Sequence, residues 1–326
     1  MKKQDVVFFE AFEEEQRLLR KFCPKNIKAE FIPKTIQESG VQTPSSSLVS
    51  IRTQSSIPVS WGRDLRGILT RSTGFEHLLD YQAQSKTLAA LGYLPSYCAR
   101  AVAEQAFLLI LSLSRKLKTQ EKNFDTFCRD GLTGLECRDK NILVVGVGNI
   151  GSEMVDIAQG LRMNVAGVDI VKRLSALEYK DLNFGLAWAD VVVCSCSLTS
   201  KTKGMLGYEN LKGIKKGALF VNVARGEISP LKDLKRLLDE NILGGIGLDV
   251  YENEQTLAPW FRSDKKAPAT EATKIVLGLK KKDNVVFTPH NAFNTQEALE
   301  RKAQQTIESA VSFLTKGTFI FPVPEK

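Results

Sequence analysis

From about residue 140 onward, short apolar runs alternate with stretches in which apolar residues recur every three or four positions. This is the pattern of a parallel sheet wound with helices. The runs Ile142 to Val145, Val165 to Val168, Val191 to Val193, Ala218 to Val223, Ile246 to Val250 and Val285 to Phe287 are each predicted as a strand. Between the first two, Met154, Ile157, Ala158 and Leu161 fall at i, i+3, i+4 and i+7 and predict a helix with one apolar face. Another helix is signalled at both ends. Ser229 as N-cap and Pro230 as first helical residue lead into Leu231, Leu234, Leu237 and Leu238, and Asn241 is placed to stop it.

The first 90 or so residues repeat these signals on a smaller scale, with Val6 to Phe9, Phe31-Ile32, Leu48 to Ile51 and Ile68-Leu69 as strands and a helix over about 11 to 22. Near the other end, Asn294 and Glu297 suit a capping box for a helix that carries Leu299, Ala303, Ile307, Ala310 and Leu314 and stops at Gly317. That helix cannot bury its apolar stripe unaided, so it is expected to return to the first unit. The predicted architecture is α/β throughout. A doubly wound parallel sheet of Rossmann type spans 101–293, a smaller discontinuous flavodoxin-like α/β substrate domain is built from 1–100 and 294–326, and a helix over about 100–117 crosses between them. A chain of 326 residues suits two domains at about 100–200 residues each.

Composition changes this picture mainly by exclusion. Lys and Arg number 45 against 37 Asp and Glu, a net charge of +8. The basic residues are scattered, however, and pairs such as Lys215-Lys216 and Lys265-Lys266 lack interleaved aromatics, so no nucleic-acid partner is expected. The excess suits small anionic ligands better. Ala101 to Leu113 is the most apolar stretch, but it carries Glu104 and Gln105 between Arg100 and Arg115 and is too short to span a membrane. Asp5 and Glu10 interrupt the only apolar run near the N-terminus, which leaves no signal-peptide core and leads us to expect a cytoplasmic protein. The six cysteines, at 23, 98, 128, 137, 194 and 196, form no CxxC pair and are expected to be reduced thiols. With only His77 and His290 available, no metal site is expected.

Chemistry enters with Gly146-Val147-Gly148-Asn149-Ile150-Gly151, which follows the strand ending at Val145 and opens the periodic helix. The first glycine permits a tight turn, the second lets backbone approach a pyrophosphate, and the third lets helix and strand pack closely. The helix N-terminus, from Asn149 and Ile150 onward, presents N–H groups to the anion. Asp169 ends the next strand, where a carboxylate can accept hydrogen bonds from ribose hydroxyls and would repel a 2′-phosphate. The cofactor read from these residues is NAD, although Lys172 and Arg173 could soften that repulsion.

Downstream come Val221-Asn222-Val223-Ala224-Arg225-Gly226, Gly247-Leu248-Asp249-Val250-Tyr251-Glu252-Asn253-Glu254 and Thr288-Pro289-His290-Asn291-Ala292-Phe293. In this order, after the fingerprint, the motifs make the chain resemble the D-isomer-specific 2-hydroxyacid dehydrogenases, most of all their D-lactate dehydrogenase branch. The resemblance implies a catalytic set of Arg225, Glu254 and His290, and it implies that Ala224 and Asp249 lie with the cofactor-binding residues, Asp249 next to the active site in an indirect role. It also implies that backbone N–H groups of Thr73 and Gly74 bind the substrate carboxylate, that Tyr97 reaches the substrate, and that Phe293 walls its side chain. The roles make chemical sense. An arginine fork can grip two oxygens, an imidazole can pass a proton near neutral pH, and a carboxylate on the far ring nitrogen can hold the ring in place. His77 is expected to be structural or solvated.

The chain departs from the family pattern at Cys194-Ser195-Cys196-Ser197, where a histidine and prolines are usual beside the cofactor, at Arg100 in place of asparagine, and at Gln105 in place of histidine. Arg100 leaves two readings open, a contact to a second substrate carboxylate or a residue facing water. The function expected is NADH-dependent reduction of a small 2-oxoacid, with pyruvate leading and hydroxypyruvate, glyoxylate or a larger 2-oxoacid as alternatives, and the resemblance alone implies a homodimer. A non-enzymatic, dinucleotide-gated binding protein of corepressor type is the competing class.

Overall fold

The structure is a computed structural model that describes residues 4–261 and 270–324. The chain divides into two compact units, Met1–Cys98 with Asn294–Lys326, and Ala99–Phe293.

The first unit runs β1 (Val6–Phe8), α1 (Glu13–Phe22), β2 (Ala29–Phe31), α2 (Ile36–Ser39), β3 (Leu48–Ile51), β4 (Gly67–Thr70), α3 (Glu76–Ser85) and β5 (Ala90–Gly92). Its strands are all parallel, in the order β2-β1-β3-β4-β5, which is the flavodoxin-like order. Both faces of the sheet are covered. Val7, Val49, Ile51 and Ile68 pack with Trp61, Leu78 and Tyr81, whereas Val6, Phe8, Leu48 and Leu69 pack on the other side. Such strands read as unbroken apolar runs because alternate residues are buried on opposite faces.

The second unit opens with α4 (Ala99–Ser114) and α5 (Leu117–Asn123) and continues through β6 (Asn141–Val145), α6 (Asn149–Gly160), β7 (Asn164–Val168), β8 (Glu178–Tyr179), α7 (Leu182–Trp188) and β9 (Val191–Cys194). After α8 (Tyr208–Leu211) come β10 (Ala218–Asn222), α9 (Leu231–Asp239), β11 (Leu243–Leu248), α10 (Glu254–Phe261), α11 (Glu271–Lys280) and β12 (Val285–Phe287). The parallel sheet has the order β12-β11-β10-β9-β6-β7-β8. Strand order therefore reverses between β6 and β9, and the crevice beyond the carboxyl ends of those strands is where doubly wound sheets bind ligands. The chain then returns to the first unit as α12 (Gln296–Lys316), whose Ala303, Ile307 and Ala310 complete the core formed by β1, β3, β4 and Leu19 of α1.

Two expected caps are shifted. The N-cap of α12 is Thr295, whose hydroxyl accepts from the Ala298 N–H at 3.2 Å, and Asn294 lies one residue outside. In α9 the first helical residue is Leu231, and its N–H donates to Glu252 Oε2 at 2.8 Å. Ser229 does not cap because its Oγ is taken by Asn222 Nδ2 at 2.7 Å in a buried contact. The expected stop holds, with Asn241 in left-handed conformation just past the helix. The expected crossing helix is shorter than predicted and ends at Ser114, and β5 and β8, of three and two residues, carried no apolar run long enough to notice.

Candidate active site

The turn after β6 follows the logic of its glycines. Gly146 has φ +94°, and a Cβ there would lie 2.5 Å from Cys196 Cα, so only glycine fits. A Cβ on Gly151 would come 3.0 Å from the Gly146 carbonyl carbon, whereas one on Gly148 meets nothing within 4 Å. The loop is thus packed shut against the sheet at its first and third glycines and open at the second. Asn149 and Ile150 begin α6 there, and the N–H groups of a first helical turn have no carbonyl partner within the helix. Asp169 reinforces the loop, since Oδ2 accepts from Val147 N–H at 2.6 Å and Oδ1 from Val171 N–H at 2.9 Å. An open glycine edge at a helix N-terminus with a carboxylate beside it fits a dinucleotide, whose pyrophosphate Gly148 to Gly151 would face and whose ribose Asp169 would meet.

The remaining groups of this unit come from the ends of β10, β11 and β12. Asn222, fully buried, ends β10 and shapes the loop behind it: Oδ1 accepts from Ala224 N–H at 2.8 Å and Nδ2 donates to the Arg225 carbonyl at 2.9 Å. Ala224 is buried, and its carbonyl accepts from Arg225 Nη1 at 2.8 Å. A Cβ on Gly226 would lie 2.5 Å from the Tyr251 carbonyl oxygen, so the arginine loop is seated directly on the backbone that leads to Glu254. Tyr251 in turn ties that backbone to the histidine loop, its hydroxyl donating to the carbonyls of Leu248 and Thr288. Burial pushes this phenol far above its ordinary range, with the nearby Asp249 and Glu254 carboxylates adding to the effect, so it stays a donor.

His290 sits in left-handed conformation, φ +52°, a strained choice for a non-glycine residue that survives only where surroundings over-determine it. Asp249 supplies those surroundings. It is fully buried, its Oδ1 accepts from Thr288 Oγ1 at 2.6 Å and Asn291 N–H at 2.9 Å, and its Oδ2 accepts from Ala292 N–H at 3.0 Å. The resemblance placed Asp249 with the cofactor-binding residues. Its burial and three bonds to the histidine loop suit the indirect role, in which it positions His290. The side chains of His290 and Glu254 are 36% and 31% exposed, and Nδ1 lies 2.8 and 2.9 Å from the two Glu254 oxygens. A carboxylate only accepts, so Nδ1 carries a proton and Nε2 is the nitrogen left to exchange one. Phe293, three residues on, is half-buried.

The expected groups of the first unit lie on the turn after β4 and at the end of the segment that follows β5. Thr73 is half-buried and Gly74 buried, and the turn is held by Ser72, whose Oγ donates to the Gly74 carbonyl at 2.7 Å and whose carbonyl accepts from Leu94 N–H at 3.1 Å. Tyr97 is buried, 4% exposed, with Lys302 Nζ 5.8 Å from its ring centre. Desolvation first, and the neighbouring Cys98 next, push its phenol well above the ordinary value. His77 bonds Thr70 Oγ1 at 3.1 Å, a structural contact within the unit. Arg100 is already held by Glu104, Glu153 and Asp156 at 2.8, 3.4 and 3.1 Å, which favours the surface reading over a substrate contact.

Three functional supports escaped the sequence reading. Asn222 and Tyr251 lay inside quoted motifs, and their polar groups at apolar strand ends were the available signal. The third, a buried cluster in the first unit, had none. Arg71, 1% exposed, donates from Nε to Glu15 at 3.0 Å, from Nη1 to Ser50 Oγ at 3.2 Å and from Nη2 to the carbonyls of Phe9 and Glu10 at 2.7 and 3.1 Å. Lys302 of α12 pairs with the same Glu15 at 2.8 Å. These contacts lash the ends of β1, β3 and β4 beneath the Thr73 turn.

Comparison with known proteins agrees with this geometry. Residues 107–292 match the model of the D-isomer specific 2-hydroxyacid dehydrogenase NAD-binding domain. The chain is 32% identical to a D-lactate dehydrogenase of Escherichia coli over 259 residues, 77% of this chain and 76% of that one. It is 30% identical to an aromatic 2-oxoacid reductase of Clostridium sporogenes over 260 residues, 78% and 77% of the two chains. The crystal structure of Aquifex aeolicus D-lactate dehydrogenase with NAD and lactic acid superposes with a TM-score of 0.83 at 28% identity, over 98% of this chain and 100% of the other.

Proposed function

From the premise that this chain belongs to the D-isomer-specific 2-hydroxyacid dehydrogenases, a family of NAD-dependent enzymes, we propose that it reduces pyruvate to D-lactate. The observation that carries the reading is the Glu254–His290 pair, which leaves one half-exposed imidazole nitrogen at the carboxyl edge of the sheet, cross-tied through Tyr251 to the loop of Arg225. NADH, when bound, supplies the hydride. Arg225 brings a planar guanidinium, whose charge suits the oxygens of a 2-oxoacid and polarises its ketone. His290 donates a proton from Nε2 to the oxygen that becomes the hydroxyl, and accepts it back in the oxidative direction. Glu254 keeps the ring oriented and stabilises it when both nitrogens are protonated. The amides of Thr73 and Gly74, with Tyr97 and Phe293, are proposed to hold the substrate carboxylate and to bound its side chain.

The comparisons include both a D-lactate and an aromatic 2-oxoacid enzyme, so the substrate side chain is the part to test. NADH oxidation followed with pyruvate, 2-oxobutyrate, phenylpyruvate, hydroxypyruvate, glyoxylate and oxaloacetate, with chiral assay of each product, decides it. A preference for pyruvate with D-lactate as product is expected. A preference for phenylpyruvate, hydroxypyruvate or glyoxylate would move the substrate while leaving the catalytic set in place.

We further propose a homodimer in the cytoplasm. Leu108 and Leu111 of α4, Leu117 of α5, and the neighbouring rings of Phe124 and Phe127, 71% and 73% exposed, are apolar side chains that a second copy would cover. All six thiols are free, in keeping with a reducing compartment, and no helix among the described residues is long and apolar enough to cross a membrane.

A further inference from the structure

The segment that departs from the family pattern lies at the point where strand order reverses. Cys194 ends β9 and is fully buried; Cys196, two residues on, is half-buried. Their sulfurs are 3.8 Å apart. The residues between and around them form one wall of the glycine turn. Ser195 Oγ donates to the Gly146 carbonyl at 2.7 Å, a Cβ on Gly151 would lie 3.2 Å from that Oγ, and Cys196 Cα occupies the space that a side chain on Gly146 would need. The hydrogen bond from Cys194 pulls the Cys196 thiol below its ordinary range, against the opposing effects of burial and of Asp169, whereas Cys194 is pushed well above it. The more exposed sulfur is therefore the readier thiolate.

We propose that Cys194 and Cys196 are a dithiol site for low-molecular-weight disulfides, and that closing the bridge between them weakens dinucleotide binding at the adjoining glycine turn. The Cys196 thiolate attacks one sulfur of a disulfide RSSR, whose S–S bond breaks and releases RS⁻, which takes a proton from water. The Cys194 thiol then gives its proton to solvent and attacks the Cys196 sulfur, expelling the second RS⁻. The protein dithiol is oxidised by two electrons and RSSR is reduced to two RSH. Drawing the sulfurs from 3.8 Å to about 2 Å contracts the chain at Ser195. That contraction pulls the Ser195 hydroxyl from Gly146 and shifts Cys196 against it, so the turn loses the wall that shapes it for the pyrophosphate.

The test uses the full chain with glutathione disulfide as the probe, followed by peptide mass mapping and by NADH titration through its fluorescence. The expected product is a loss of about 2 Da mapped to Cys194–Cys196, with NADH affinity weakened by roughly tenfold or more and restored by dithiothreitol. Cys194→Ala should bind NADH as the reduced wild type does and stop at a mixed disulfide on Cys196. A stable mixed disulfide in the wild type, a bridge that uses other cysteines, or a Cys194–Cys196 bridge that leaves NADH affinity unchanged would each overturn the proposal.

Discussion

Two carboxylate–nitrogen contacts of the same length sit in opposite surroundings. Glu254 and His290 meet at 2.8 Å with about a third of each side chain exposed, whereas Glu15 and Lys302 meet at 2.8 Å with 4% and 0% exposed. The first pair leaves a nitrogen able to exchange protons with a ligand. The second is buried, and in it Arg71 and Lys302 share the one Glu15 carboxylate. Contact distance therefore does not separate catalysis from scaffold here; access does. A sealed pair costs desolvation on both groups and returns a fixed geometry, in this case the placement of the Thr73 turn.

His290→Ala removes the nitrogen that only the open pair offers. It should lower kcat by at least ~10²-fold while NADH binding, measured by fluorescence, stays nearly unchanged; undiminished turnover would remove His290 from the mechanism. Next in size, Glu15→Gln leaves Arg71 and Lys302 without their carboxylate and should cost about 3–5 kcal/mol in urea unfolding. A variant as stable as the wild type would show that the buried charges are satisfied elsewhere.

Asp249→Asn sharpens the assignment of roles. The amide cannot accept at both positions from the histidine loop, so kcat should fall roughly tenfold or more through misplacement of His290, with the NADH dissociation constant unmoved. A raised dissociation constant with little change in kcat would restore Asp249 to the cofactor site.

The buried cluster also carries a pH dependence. Burial lowers Lys302 from its ordinary 10.5 to about 7 against the pull of Glu15, while Arg71 and Lys302 together overcome desolvation and hold Glu15 far below its ordinary range. Between about pH 7 and 10.5 the unfolded chain binds a proton at Lys302 that the folded chain does not, so this residue makes stability rise with pH across that window and leaves it flat below. Glu15 acts at the other end, its contribution present above pH 4.5 and lost on further acidification through its depressed value. Lys302→Met, which keeps the Arg71–Glu15 contact, should change stability at pH 7 by no more than about 1 kcal/mol. It should also remove the alkaline rise relative to the wild type, and an unchanged rise would show that Lys302 does not release its proton on folding.

How much of this was legible along the chain follows from how far each interaction reaches. Strand runs such as Leu48 to Ile51 and Val285 to Phe287 coincide with the observed elements because burial on both faces writes itself into consecutive residues. Caps moved by one residue because Ser229 and Asn294 were judged by sequence neighbours, while Asn222 and Thr295 decided which hydroxyl was available. Asp249 was legible as part of a motif but not as the support of the His290 turn, since its partners lie about forty residues away.

The parallel α/β architecture and the glycine turn with Asp169 can be read along the chain, because periodicity and motif spacing act within one element or one turn, and Arg225, Glu254 and His290 come from a family resemblance carried by short motifs. Tertiary packing alone brings Glu15, Arg71 and Lys302 into one buried cluster, sets Glu252 at the start of α9, and stands Ser195 and Cys196 against the turn at Gly146. Each of those joins residues from separate elements, and which polar group meets which is set by how the sheets and helices stack rather than by any residue's neighbours in the chain.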